Sequence, residues 1–430
     1  MRYGTAMTAP VIGVDFGTTN SVAATLMPDG TVTAARYTLG AETFEVFRSV
    51  LCFWPEETRA RKLLHHAAGP AAIAAYVDDP LDSRLILSMK TYLAQRSFTQ
   101  TQLFGRPYTL ERLIGLFLRA FFATAGFAFD AARVVAGRPV RFAGEFADHE
   151  FGEQRLRAAF AEAGLRDIDV AFEPEAAGYR FARRLQAPAT VLVGDFGGGT
   201  SDFSILRFEP GSARPVQAVA QGGVGIAGDV FDYRIIDHVI APRLGKGDTY
   251  RVMGGADLPV PPEYFASFAR WHRLSLMRNP RTMREIGEVA RNARHPERLR
   301  HLLALIGDER GYALYQAVSA AKVALSRETG TRLAFRHGDF VVDEVVTRAA
   351  FERWIEGDVD RLGETVDRVM HEAALGDGEI DHVFLTGGTS FVPAVRRLFT
   401  DRFGEARMAA GGEFVSVAEG LALIGRDRRG

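Results

Sequence analysis

Val191-Leu192-Val193-Gly194-Asp195-Phe196-Gly197-Gly198-Gly199-Thr200-Ser201-Asp202-Phe203-Ser204-Ile205-Leu206 is the stretch that decides the fold. An apolar run leads into Asp-Phe-Gly, a short Gly/Thr turn follows, and apolar residues resume. That order is a strand, a tight turn and a returning strand. The glycines supply the backbone freedom a tight turn demands. Nearly the same text stands 180 residues earlier, at Val11-Ile12-Gly13-Val14-Asp15-Phe16-Gly17-Thr18-Thr19-Asn20-Ser21-Val22-Ala23-Ala24-Thr25-Leu26. Asp15 and Asp195 hold the same place in the two copies. The chain therefore reads as a duplicated lobe, a repeat of domain size and not a short solenoid period.

A third strand-and-glycine element is His382-Val383-Phe384-Leu385-Thr386-Gly387-Gly388-Thr389-Ser390, followed by Pro393 and a helical stretch over 394–403. Glycine before a helix and proline at its start are ordinary punctuation. Residues 145–163 and 349–374 have helical periodicity. The segment 242–310, rich in Pro, Arg and His, has the look of an insertion, and a charged Arg426-Asp427-Arg428-Arg429 stands near the last residue.

A chain of 430 residues exceeds what one core usually serves, so two lobes are expected. Hydrophobic residues make up 47% and charged residues 24%, an ordinary globular balance. The 52 basic and 53 acidic residues nearly cancel, which gives no electrostatic reason for nucleic acid or an anionic membrane as partner. A single cysteine, Cys52, excludes an intramolecular disulfide and reads as a buried apolar residue. The N-terminal residues lack an apolar signal-peptide core. The most apolar stretch, 110–129, is broken by Glu111, Arg112 and Arg119 and reads as an amphipathic helix. A cytoplasmic location is the expectation. Only four of the basic residues are lysines, Lys62, Lys90, Lys246 and Lys322. A lysine kept against such a bias reads either as a place for a compact ammonium that a guanidinium fork does not replace or as chance.

Two glycine-rich hairpin turns facing each other offer two sets of backbone N–H groups, natural cradles for phosphate oxygens. Thr18, Thr19 and Thr200 add hydroxyls. Asp15 and Asp195 beside a phosphate would repel it unless a divalent cation lies between, which implies Mg²⁺ held through water. Hydrolysis then needs a positioned water and positive charge for the transition state.

The three motifs, in this order, resemble the phosphate-1, phosphate-2 and adenosine motifs of the actin/Hsp70/sugar-kinase superfamily. Within it, Hsp70 is the best match. Residues 11–20 resemble the Hsp70 opening and 194–203 its second phosphate loop. Phe172-Glu173-Pro174-Glu175-Ala176-Ala177-Gly178-Tyr179 is similar to its connecting segment, Thr347-Arg348-Ala349-Ala350-Phe351-Glu352 to a typical helix start, and Gly225-Ile226-Ala227-Gly228-Asp229-Val230-Phe231-Asp232 to a glycine turn near the nucleotide. The resemblance covers the chain except 242–310, and it stops where a peptide-binding domain would begin, a layout similar to Hsp70-like proteins of the YegD type.

The resemblance implies an α/β fold: a duplicated actin-like, RNase H-like ATPase with a five-stranded mixed sheet in each lobe. Lobe I is expected over 10–188, with an inserted subdomain at about 40–125 and a completing helix at about 412–426. Lobe II is expected over 189–411, with an insert at about 229–345. ATP or ADP is expected in the cleft between lobes, with Mg²⁺ on Asp15 and Asp195 and a monovalent cation such as K⁺ nearby. Gly17, Thr18, Thr19, Asn20, Gly197, Gly198, Gly199 and Thr200 would meet phosphate. Lys90 would orient the attacking water, with Glu173 and Asp202 completing the network. Gly228, Asp229, Lys322, Ser326, Gly387, Gly388 and Thr389 would approach adenosine and ribose.

Blander readings stand beside these. Glu173 precedes Pro174 at a helix start, where the helix dipole favours a solvated carboxylate. Lys90 taken alone reads as a surface lysine. Val323 and Ser319 depart from the family's Arg and Glu, which loosens the expected grip on adenine. The function implied is an Hsp70-like ATPase without its own peptide-binding domain, a monomer whose nucleotide state is read by a protein client or co-chaperone. Alternatives are a small-molecule kinase of the same fold, a nucleotide-gated filament and a degenerate scaffold.

Overall fold

The computed structural model describes residues 10–39, 42–57, 62–79, 81–126, 132–144, 146–182, 185–210, 216–252, 255–268, 277–409 and 416–428. Glu145, residues 127–129 of the apolar stretch, parts of the 242–310 segment and Arg429 lie outside them. The chain divides into two compact units. One holds residues up to 227, 361–391 and those from 395 on; the other holds 228–360 with 392–394. Both hairpins fall in the first unit.

In the first unit, one sheet runs in the order Ile168–Phe172, Arg133–Arg138, Val11–Phe16, Asn20–Leu26, Val32–Ala34. Val11–Phe16 lies parallel to Arg133–Arg138 and forms an antiparallel hairpin with Asn20–Leu26. A second sheet repeats the plan in the order Val216–Val224, Ser201–Phe208, Ala189–Phe196, His382–Thr386. Here Ala189–Phe196 lies antiparallel to Ser201–Phe208 and parallel to His382–Thr386. The duplication read from the sequence is thus a duplication of sheet topology, and the fold is the mixed α/β architecture of that reading. Strand numbers differ between the copies. Phe47–Arg48 adds a short pairing beside Asn20 and Ser21, whereas Met408 meets Val383 through one isolated bridge.

The helix Leu110–Ala125 shows how its sequence selects helix and face. Thr109 accepts the Arg112 N–H as N-cap, and Gly126, at φ 68, ends the helix in the left-handed conformation. Leu113, Phe117 and Phe121, four residues apart, are buried, while Arg112 and Arg119 face solvent. Phe117 and Phe121 join Phe16, Tyr37 and Phe47 in a cluster with ring centroids 5.1–5.8 Å apart. Phe117→Ala in such a setting costs about 3–5 kcal/mol. The helix Ser416–Asp427 packs on both the first sheet and the helix Glu173–Ala182, and glycine permits the approach. A methyl on Gly13 would lie 2.0 Å from the Ala418 carbonyl oxygen, and one on Gly420 would lie 1.7 Å from that of Ala176.

In the second unit, the helix Gly228–Ile235 continues into a wide turn at Ile236–Ile240. Asp358 is buried and accepts from Arg234 Nε and Nη2, at 2.7 and 2.9 Å. Within 242–310, the helices Pro280–Asn292 and Pro296–Gly307 each begin with proline in their first turn. The helix Gly311–Leu325 follows, then the hairpin Gly330–His337 with Phe340–Thr347. Thr347 Oγ1 accepts the Ala350 N–H at the start of the helix Arg348–Glu372, which belongs to this unit as far as Asp360. Among the described residues no helix is long and apolar enough to cross a membrane.

Candidate active site

Both hairpins of the first unit deliver an aspartate at the end of their first strand, and the turns meet. A methyl on Gly199 would lie 3.7 Å from Thr18 Oγ1 and 4.0 Å from Thr91 Oγ1. The second turn is closed by Gly197 N–H on the Thr200 carbonyl at 2.9 Å. In the first, Thr19 O accepts the Ser49 N–H at 2.9 Å, and Asn20 Oδ1 accepts Arg48 Nη1 at 3.0 Å.

Strand register sets the carboxylates. Asp195 lies opposite Asp202 in its hairpin and opposite Thr386 on the parallel side. Glu173 opens a helix directly after the strand Ile168–Phe172 and packs against Gly137 of the neighbouring strand, where a methyl would lie 2.9 Å from Glu173 Cγ. Lys90, on the single turn Met89–Tyr92, donates from Nζ to Glu173 Oε1 at 2.6 Å. Glu173 is only 5% exposed and Lys90 8%, so neither the solvated helix-start carboxylate nor the surface lysine describes them. Tertiary burial overrides the local dipole argument.

Charge in this site is lopsided. Among the described residues, Asp15, Glu173, Asp195 and Asp202 share Lys90 as their ammonium. Burial, then repulsion from Glu173, pushes Asp15 up to about 7 even though Lys90 pulls the other way. Asp195 is raised well above the ordinary carboxyl range by burial and by Glu173, Asp15 and Asp202. Asp202 is pushed up to about 7 by burial and by Glu173, while the Arg141 N–H and the Thr200 side chain hold it down. Burial works to lower Lys90, but Glu173, Asp15 and Asp195 outweigh it and raise it.

Gly387, at φ 86, adopts a conformation that suits glycine, and a methyl there would lie 2.0 Å from the Phe196 carbonyl oxygen. The turn Gly388–Phe391, with Thr389 buried, therefore starts at the end of the strand that carries Asp195. The remaining sequence candidates, Gly228, Asp229, Lys322 and Ser326, belong to the second unit and are tied to one another. Lys322 Nζ donates to Asp232 Oδ2 at 2.9 Å and to the Gly228 carbonyl at 3.0 Å. Tyr315 Oη donates to Asp229 at 3.4 Å, and Ser326 Oγ donates to the Lys322 carbonyl at 3.3 Å. Val323 is 54% exposed on the same helix.

Three contributors escaped the sequence reading. Arg141 donates its backbone N–H to Asp202 Oδ1 at 3.3 Å, and a backbone donor leaves no side-chain signature. Gly223 leaves room for that carboxylate, since a methyl there would lie 2.4 Å from Asp202 Oδ1. Its signal was the pair Gly222-Gly223 inside a strand. Asp232, the partner of Lys322, stands in the quoted glycine turn, and its one-turn spacing from Gly228 was the clue.

Paired sheets of this topology, with facing hairpin turns and a buried Lys–Glu pair among aspartates, define a mixed α/β protein. A family model described as Hsp70 protein matches residues 146–247 and 308–426, just over half the chain. The chain belongs to the Hsp70 family. It is 26% identical over 424 residues to a protein named chaperone protein dnaK from Cyanidioschyzon merolae, covering 92% of this chain and 58% of that one. Chaperone protein DnaK from Thermotoga petrophila and from Thermotoga maritima each match at 24% over 416 residues, covering 96% of this chain and 58% of theirs. The chain thus spans 58% of the length of these curated relatives.

Proposed function

We propose that this chain binds ATP with Mg²⁺ where the two hairpin turns meet, and hydrolyses it slowly to ADP and phosphate as a chaperone-type ATPase. The single observation that carries this reading is the buried Lys90–Glu173 pair, 2.6 Å long, set among Asp15, Asp195 and Asp202. An ammonium fixed in a carboxylate cluster beside phosphate-cradling turns suits the positioning of water for in-line attack. The Lys–Glu pair, similar to that of Hsp70, supports water and not a sugar hydroxyl as acceptor.

The site is short of positive charge, and this fits a divalent cation. Asp15 and Asp202 are both pushed up to about 7, by burial first and by Glu173 second. Among the described residues no group of three or more His, Cys, Asp or Glu side chains is spaced to hold a metal directly. Buried carboxylates that share one ammonium suit a divalent ion that keeps its waters, as Mg²⁺ does. Asp15 and Asp195 would hold it through water, and when bound it supplies the charge that neutralises both phosphate and carboxylates.

In this reading Lys90 orients the attacking water and Glu173 holds Lys90 in place. Thr200 faces the γ-phosphate, and Asp202 fixes Thr200. The turns at Gly17, Thr18, Thr19 and Asn20 and at Gly197, Gly198 and Gly199 cradle phosphate, Gly197 by shaping the turn that its own N–H closes on Thr200. K⁺ beside the aspartates, adenosine contacts from Gly387, Gly388 and Thr389, a protein client or co-chaperone as partner and a cytoplasmic setting complete the proposal. Single-turnover hydrolysis of ATP by the wild type and by Lys90→Ala tests it: equal rates remove Lys90 from the mechanism.

A further inference from the structure

The backbone that carries Lys90 is one short turn, Met89–Tyr92. Ser88 sits at φ 52, a conformation uncommon outside glycine. After the turn Met89–Tyr92 the chain makes two more turns, with Gln95 N–H on the Tyr92 carbonyl and Phe98 N–H on the Gln95 carbonyl, each at 3.2 Å. These turns bring the carbonyls of Tyr92, Gln95 and Phe98 to one point. At that point is Arg155 Nη1, at 3.3, 3.4 and 3.1 Å respectively.

Arg155 comes from the helix His149–Glu162 and is 4% exposed. Its Nε donates to Glu111 Oε1 on the helix Leu110–Ala125, and its guanidinium lies over the Phe151 ring. An arginine is always charged, so a buried one persists only where its donors are used. A planar fork that reaches a carboxylate with one nitrogen and three carbonyls with another is a task lysine does not fill. The same helix adds two ties. The Asp148 N–H donates to the Ala94 carbonyl at 3.0 Å, and the Asp148 carboxylate takes Arg96.

We propose that Arg155 is a positioning residue for Lys90. Its guanidinium locks the turns that follow the lysine and so keeps Nζ on Glu173. The inference rests on the reading of Lys90 as the group that orients water, and its test separates the two.

The chain contains four lysines, so lysine labelled with ¹⁵N gives a sparse ammonium spectrum in which Lys90 is assigned by its loss in Lys90→Arg. Arg155→Met is expected to displace the Lys90 signal of the nucleotide-free protein while leaving those of Lys246 and Lys322 in place. Single-turnover hydrolysis should fall about tenfold, with ATP affinity held within about twofold, because a small misplacement acts on chemistry more than on binding. Arg155→Lys, which restores charge and one donor group, should recover part of the rate. An unmoved Lys90 signal, or a wild-type rate, overturns the proposal. If the wild type hydrolyses no ATP, the functional reading fails by itself, and the Lys90 signal alone then decides the clamp. Should Arg155→Met not fold, Arg155→Gln takes its place under the same two measurements.

Discussion

Asp202 is 2% exposed, and the pKa of its carboxyl is pushed up to about 7 by burial first and Glu173 second. An acid whose pKa in the folded chain exceeds the ordinary 3.8 holds its proton more firmly there than when unfolded. The stability contributed by that proton is complete below the ordinary value and is lost as pH climbs towards about 7. Each pH step in the window removes about 1.4 kcal/mol, so by pH 8 the folded state has lost about 4 kcal/mol at this one group. Asparagine is neutral at every pH, has nearly the same volume and keeps an oxygen for the Arg141 N–H. Asp202→Asn is therefore expected to stabilise the magnesium-free protein at about pH 8 by about 2–4 kcal/mol, and by less than about 0.5 kcal/mol near pH 4. Urea unfolding in EDTA at both pH values measures it through the midpoint. A midpoint that falls at the higher pH, or moves equally at both, refutes the reasoning. The same variant should hydrolyse ATP more slowly, a gain in stability set against function.

Lys90→Ala and Thr200→Ala should both retain ATP binding in calorimetry while single-turnover hydrolysis falls by about 100-fold, the usual effect of losing one preorganised transition-state contact. Gly420→Ala places a methyl 1.7 Å from the Ala176 carbonyl oxygen. It should destabilise the first unit by at least about 2 kcal/mol in urea titration, and an unchanged midpoint would show that the helices part freely. Burial pushes the Cys52 thiol up to about 11. At about pH 8 it should react with a thiol reagent roughly 100-fold more slowly in native protein than in urea, and equal rates would place it at the surface.

The hairpins were legible because their information is local. Asp-Phe-Gly followed by Gly/Thr specifies a turn, and register then puts Asp195 opposite Asp202 without further help. Helix positions were legible for the same reason. Periodicity over 349–374 and 394–403 corresponds to the helices Arg348–Glu372 and Pro393–Phe403, and Asp148 caps the helix expected from about 145 three residues later. The Lys90–Glu173 pair joins residues 83 apart in the chain, and no local propensity encodes such a meeting. Its burial reverses the solvated reading that the sequence around Glu173 allows. Arg141 and Arg155 were illegible for different reasons. One contributes a backbone group common to every residue. The other is one arginine among many, distinguished only by the three carbonyls that gather on it.

The helix Ser416–Asp427 lies against Val11–Phe16, the opening strand of the first sheet. Some 400 residues separate them, and a ribosome adding about 5–20 residues per second needs about 20–80 s to make that span. Through that interval the strand that bears Asp15 is without its covering helix, with apolar surface uncapped during translation. A nascent chain arrested before residue 416 should accordingly be a substrate for holding chaperones and proteases, although both hairpins have already emerged.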